Sequence, residues 1–177
     1  MTEITSRDEF KVKVCILSHP EELVSHFIQK LLQKHKERAL NRNFAALGLS
    51  ISTISLFADD KPVKLILIQT SGQKFMEKLR VYYQGASGAI ILFERNNSDS
   101  FESAKRHFHY FQNIILNPRA PIIFIDVLEI NPLIDDPERL TGSPNVLYYE
   151  INENNFQAFN DIIESIIYTY ISTRVTS

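Results

Sequence analysis

The sequence predicts an α/β fold: a six-stranded, mostly parallel sheet with one antiparallel hairpin and helices on both faces. Short aliphatic runs alternate along the chain with longer segments of helical periodicity, as buried parallel strands and their crossovers do. Two of these runs, "LGLSISTISLF" and "VKLILIQ", are separated only by Ala58-Asp59-Asp60-Lys61-Pro62, a hairpin turn. The chain has 177 residues, of which 44% are hydrophobic and 23% charged, which suits one domain with a sizeable core.

The first strand is "FKVKVCIL", which alternates and then becomes wholly apolar. "PEELVSHFIQKLLQKHKER" follows, with Pro20 and two glutamates at its head and basic residues at its tail, the polarity of a helix dipole. Leu23, Phe27 and Leu31 form its apolar face, flanked by Ile28 and Leu32. After the hairpin, "FMEKLRVYYQ" reads as a short helix and "SGAIILFER" as a strand. "DSFESAKRHFHYFQNIIL" is a helix opened by Ser98 or Asp99 and closed before Pro118. "PIIFIDVL" and "NVLYYEI" are strands. A last helix carries Phe156, Phe159, Ile163, Ile166, Ile167 and Tyr170 at helical spacing. The expected organisation is an N-terminal tail over 1–9, one domain over 10–172 and a C-terminal tail over 173–177. Ligands of such sheets bind beyond the carboxyl ends of the strands, so the loops after residues 17, 69, 94, 127 and 150 are the places to look.

Several functional classes find no support. A formal net charge of −2 gives no electrostatic reason to expect nucleic acid or an anionic membrane. Cys15 is the only cysteine and lies within a strand, which excludes an intrachain disulfide and a cysteine-based metal site. No apolar run reaches the roughly 18 residues of a membrane span. The polar opening "MTEITSRDEF" predicts no signal peptide, and "ISTRVTS" offers no cysteine for prenylation, so a cytoplasmic protein without its own membrane anchor is expected. His107 and His109, two apart on a helix, point to different faces and cannot chelate together. No metal site is expected. "QKHKER" reads as a solvated helix end, and Asp135, Asp136 and Glu138 as part of a polar loop.

The most specific stretch is "VKLILIQTSGQKFMEKLRVYYQGASGAIILFERNNSDSF", residues 63–101. It resembles the Ras superfamily of small GTPases, and within it the Rab-like branch. It looks like the stretch from the strand before the DxxGQ motif, through the "YYRGA" helix end, to the "D…SF" start of the next helix. Tyr82-Tyr83-Gln84-Gly85-Ala86 and Ser100-Phe101 carry the match, and the likeness extends over about residues 10–172. The fold implied is the G domain. The activity the family implies is GTP binding and hydrolysis with Mg2+.

The family's chemical motifs are altered here. A phosphate loop needs glycines, so that backbone N–H groups can curl around the phosphates, and a lysine to neutralise them. The corresponding "SHPEELVS", Ser18–Ser25, has no glycine. Leu23 stands at the last glycine's place and Val24 at the lysine's, while Glu21 and Glu22 put negative charge where a triphosphate would lie. Ser25 keeps the magnesium-binding hydroxyl. Ala46 replaces the first switch's threonine, and Gln69 replaces the aspartate of DxxG. Thr70, Gly72 and Gln73 remain, Gln73 matching the water-positioning glutamine. The base-reading NKxD motif is replaced by Val127, Leu128 and Ile130, and Asn152-Glu153 replaces the "SA" pair.

Charge-assisted hydrogen bonds contribute roughly 1.5–3 kcal/mol each, and at least three sets are missing. A loss on the order of 6–9 kcal/mol turns a picomolar site, worth about 16 kcal/mol, into one of roughly tens of nanomolar to a few micromolar, and the charges of Glu21 and Glu22 weaken it further. The expected function is therefore that of a pseudo-GTPase: no enzyme and no cofactor, with Gln73, Ser25, Thr70 and Gly72 vestigial. Its partner would be another protein, bound through the switch-equivalent surface of Leu47, Leu49, Ile51, Ile68, Phe75, Leu79 and Tyr82. Of these, Ile51, Ile68 and Tyr82 correspond to the aromatic triad by which Rabs engage partners. The alternative is a divergent GTPase that holds GTP or GDP and Mg2+ through unconventional contacts. Whichever holds, the helix after the first strand is expected to begin near Pro20, with Leu23 and Val24 filling the phosphate site.

Overall fold

Strand β1 (Phe10–His19) is the centre of the sheet because both of its faces are apolar: Val12, Val14 and Ile16 on one, Cys15 and Leu17 on the other, all buried. The computed structural model describes residues 9–19, 22–44, 48–70, 80–94, 96–114, 120–128, 146–152 and 155–175. After β1 come α1 (Glu22–Lys34), β2 (Ala39–Phe44), β3 (Leu49–Ala58), β4 (Lys61–Thr70) and α2 (Arg80–Tyr83). They are followed by β5 (Gly88–Phe93), α3 (Ser98–Ile114), β6 (Ile122–Leu128), β7 (Val146–Asn152) and α4 (Phe156–Val175). The sheet order is β2-β3-β4-β1-β5-β6-β7. From β4 to β7 every pairing is parallel.

The expected fold class holds, with seven strands where six were predicted. The additional one, β2, has the sequence "ALNRNF" and pairs antiparallel with β3, so there are two antiparallel pairings and not one. Being an edge strand, β2 needs little apolar character, and Ala39 is its residue packed against the core. Its polar residues contribute bonds of their own: Ser50 and Ser52 Oγ donate to Asn41 Oδ1 at 3.1 and 3.3 Å. The β3–β4 connection is also tighter than the five residues expected. Ala58 pairs with Lys61, leaving Asp59 and Asp60 alone in the turn at φ 48° and 60°. Two positive φ angles are the mark of the type I′ hairpin, whose twist matches that of the strands it joins.

Helices cover both faces of the sheet. α1 and α4 lie on the side of Val12, Val14, Ile16, Leu65 and Leu67, where Phe27 stacks on Phe159 at 4.8 Å. On the other side α3 and Tyr83 of α2 meet Cys15, Leu17 and Ile91, with Tyr83 edge-on to Phe111 at 5.5 Å. Gly88 permits the close approach of α4 and the β6 entry, since a Cβ there would stand 3.1 Å from Ile166 Cγ2 and 3.4 Å from the Pro121 carbonyl. Two predicted details change. The inward stripe of α1 is Val24, Phe27, Ile28 and Leu31, and Leu23 lies only at its margin. The cap of α3 is Asn97, not Ser98 or Asp99: its Oδ1 accepts from the Asp99 and Ser100 N–H groups, each at 3.1 Å. Among the described residues no helix is long and apolar enough to cross a membrane.

Candidate functional site

Parallel register brings the carboxyl ends of β1, β4 and β5 together: Ile16 is level with Gln69, and Ser18 and His19 with Leu92 and Phe93. The chain leaves β1 at His19 and enters α1 at Glu22, so α1 rises from this edge of the sheet. Pro20 and Glu21 lie outside the described residues, and with them the predicted helix start. Val24 points into the core and is 1% exposed, packed in one cluster with Phe27, Val14 and Ile16, while Leu23 is half-buried against that cluster. The position is closed to a charged side chain. One turn of α1 carries Val24 inward and Ser25 to the partly buried edge, where Gln69 Nε2 donates to Ser25 Oγ at 3.2 Å.

The other polar groups at this end are tied to the protein itself. Tyr83 donates its phenol hydrogen to Thr70 Oγ1, joining the end of β4 to α2. Burial pushes the Tyr83 phenol well above its ordinary value, so it remains a neutral donor. The fully buried Ser100 hydroxyl accepts from the Glu94 N–H at 2.9 Å and donates to the His19 carbonyl. The start of α3 therefore clamps the ends of β1 and β5. Ser18 Oγ is buried, with no hydrogen-bond partner among the described residues. At the far side Val127 is buried beside Ile151, and the preceding Asp126, 0% exposed, accepts from the Tyr148 hydroxyl at 2.9 Å. Asp126 went unnoticed in the sequence reading, although a lone carboxylate within "PIIFIDVL" was the available signal.

Of the predicted polar site residues, the structure brings Ser25 and Gln69 together and gives Thr70 to Tyr83. Gly72, Gln73, Ala46, Ile130 and Glu153 lie outside the described residues. Of the predicted partner surface, Leu47, Phe75 and Leu79 also lie outside them. Leu49 and Ile68 are corrected: at 1% and 3% exposed they belong to the core beneath α3, because alternation along β3 and β4 turns both inward at the ends of the strands. Ile51 and Tyr82 are half-buried over that cluster. Among the described residues the exposed large apolar side chains include Leu40, Phe57 and Val81, none of them in the predicted surface. His107 is buried and His109 exposed, so the two histidines do face apart. No group of three metal-ligating side chains occurs among the described residues.

A family model described as "Ras family" matches residues 22–128, more than half of the chain. The chain is 27% identical to the Ypt/Rab-type GTPase ypt7 of Schizosaccharomyces pombe, over 67% of this chain and 59% of that protein. It is 29% identical to the Ypt/Rab-type GTPase avaA of Emericella nidulans, over 70% and 67% respectively. Over a shorter stretch, 38% of this chain and 34% of the relative, it is 39% identical to the Ras-related protein Rab-2B of Dictyostelium discoideum. The matched region thus spans from about a third to two thirds of these relatives' lengths.

Proposed function

This chain belongs to the Ras family, with Rab-like relatives, and from that premise we propose that it is a G domain serving as a protein-binding module without a bound nucleotide. The observation that carries the reading is Val24, sealed in the core where the family's phosphate-binding lysine stands. Measured against a triphosphate with Mg2+, the described side chains are a poor match. No cation stands at that place, the serine at the magnesium position is bonded to an amide, and an apolar Val127 replaces the base-reading asparagine. An amide cannot supply the negative charge that a carboxylate offers to magnesium-bound water. Removing such contacts weakens a picomolar site by about 6–9 kcal/mol at roughly 1.5–3 kcal/mol each.

A second reading is a divergent GTPase that holds GTP or GDP and Mg2+ through other contacts. The relatives favour it, since their names describe them as GTPases. One experiment separates the two: acid extraction of the purified full chain, chromatography of the supernatant, and melting curves with GTP or GDP in millimolar Mg2+. The proposal expects no stoichiometric nucleotide and an unchanged Tm, because a ligand that does not bind the folded state adds no stability. Stoichiometric GDP, or a clear nucleotide-dependent rise in Tm, would establish the second reading.

A further inference from the structure

At the hairpin end of β3 and β4, away from Gln69, a cleft of about 130 Å3 opens between α1, α4 and the sheet. Its floor is aliphatic: Leu31, Leu65, Ile163 and Ile167 line it and are each at most 2% exposed. The lining also includes the exposed Tyr168 and Glu164 and the half-buried His35, so the cleft communicates with solvent. One polar side chain is buried in these walls. Asn160 is 2% exposed; its Oδ1 accepts from Lys34 Nζ at 3.1 Å, and its Nδ2 donates to Glu164 Oε1 at 2.8 Å. An ammonium only donates and a carboxylate only accepts, so these neighbours fix which amide atom is oxygen and which is nitrogen. A carboxamide has two N–H donors and two acceptor sites, so one of each is left over among the described residues. Polar capacity left unused in apolar surroundings costs free energy, and a ligand that brings both an acceptor and a donor recovers it.

We propose that this cleft is a binding site for a small neutral ring carrying a cyclic amide, with the ring on the aliphatic floor and its N–H and C=O edge paired with Asn160. Size selects a single ring, since an apolar cavity of about 150 Å3 stays dry and accepts benzene. Water alone would satisfy the amide but would wet the aliphatic floor, which a ring covers. Charge selects a neutral ligand. Lys34 and Glu164 carry opposite charges and both are held on Asn160, so the cleft attracts neither ion strongly. His35 stays neutral near pH 7, because burial first and then the Lys34 and Arg38 charges lower its pKa against the pull of Glu164. Its ring therefore offers an acceptor as well as a donor to substituents on the ligand. The cleft lies at the opposite end of β4 from Gln69 and Ser25, so it is independent of whether the chain holds a nucleotide.

The test is titration of the isotopically labelled full chain with 2-pyridone, followed in its backbone amide NMR spectrum. Shifts are expected at residues 31–35, 56–58 and 160–168, with a Kd of about a millimolar or tighter. N-methyl-2-pyridone keeps the ring and the carbonyl but lacks the donor, and should bind at least about tenfold more weakly. Asn160→Leu keeps the side-chain volume and leaves the exposed Lys34 and Glu164 to water. It should weaken 2-pyridone by a similar factor and bring the two probes level. Ala58→Leu, at a buried position in the lining, fills the cleft and should abolish binding of both. Melting curves show whether each variant folds, and the comparison of the two probes on the parent needs neither variant. No shift with tens of millimolar 2-pyridone, or equal binding of the two probes by the parent, would overturn the proposal. So would benzene binding as tightly as 2-pyridone, or shifts confined to Ser18, Ser25 and Gln69 at the other end of the sheet.

Discussion

At the scale of single residues, position 24 decides most. A lysine reaching a triphosphate is stabilised by its ligand, whereas a lysine introduced at Val24 enters a core cluster and meets Phe27, Val14 and Ile16. Val24→Lys should therefore lower stability by about 3 kcal/mol or more, the order of cost of an unpaired buried charge, read as a fall in the urea midpoint. A variant as stable as the parent that also gains affinity for GTP would show the position to be open, against this description. The absence of a lysine was plain in the sequence; the burial of its replacement depended on the rotation of α1, which turns Val24 and not Leu23 to the centre. Leu49 and Ile68 illustrate the same limit. Their apolar character was legible, but their place at the end of the strands beneath α3 and Tyr83 made them core, whereas Leu40 and Phe57, on the same face, lie outside it.

At the scale of elements, the long apolar strands and periodic helices were readable because burial imposes a pattern that few other structures share. β2 was not. An edge strand with Asn41 and Arg42 exposed is chosen by its partner's free hydrogen-bonding groups, which lie ten residues further along the chain. The hairpin turn was placed correctly but drawn too wide. Asp59 and Asp60 both hold positive φ, which side chains other than glycine and asparagine adopt at a cost. Asp60→Gly should accordingly raise stability by about 0.5–1 kcal/mol, measured by thermal unfolding with the parent alongside. Equal or lower stability would mean that the aspartate makes a compensating bond.

At the scale of the whole molecule, a buried histidine links stability to pH. His107 on α3 has an Nδ1 without a hydrogen-bond partner among the described residues, and its pKa is lowered from 6.5 to about 4, by burial first and then by the Arg106 and His19 charges. A lowered histidine pKa means that the unfolded chain takes up a proton before the folded one does. The associated stability is present above about pH 6.5 and is lost as pH falls toward 4, by up to about 3 kcal/mol. Urea midpoints taken across that range should drop, and His107→Phe should flatten this part of the profile. An unaltered slope in the variant would assign the acid sensitivity to other groups.

The sequence by itself determined the fold class and the family resemblance, since both rest on the order of apolar runs and on local clusters such as Tyr82-Tyr83-Gln84-Gly85-Ala86. It also determined which residue types stand at the positions that the resemblance matches to a phosphate loop and a base-reading strand, because identity at a position needs no coordinates. The tertiary structure alone decided how the side chains at that end of the sheet are packed and bonded: Val24 in the core, Gln69 on Ser25, Tyr83 on Thr70 and Ser100 on the end of β1. It alone also gathered Leu40, Ile66, Lys11 and Lys64 onto one face of the sheet. These residues are far apart in the chain and no local pattern joins them. Contacts between distant segments depend on strand register and helix rotation, which the packing of the complete sheet selects.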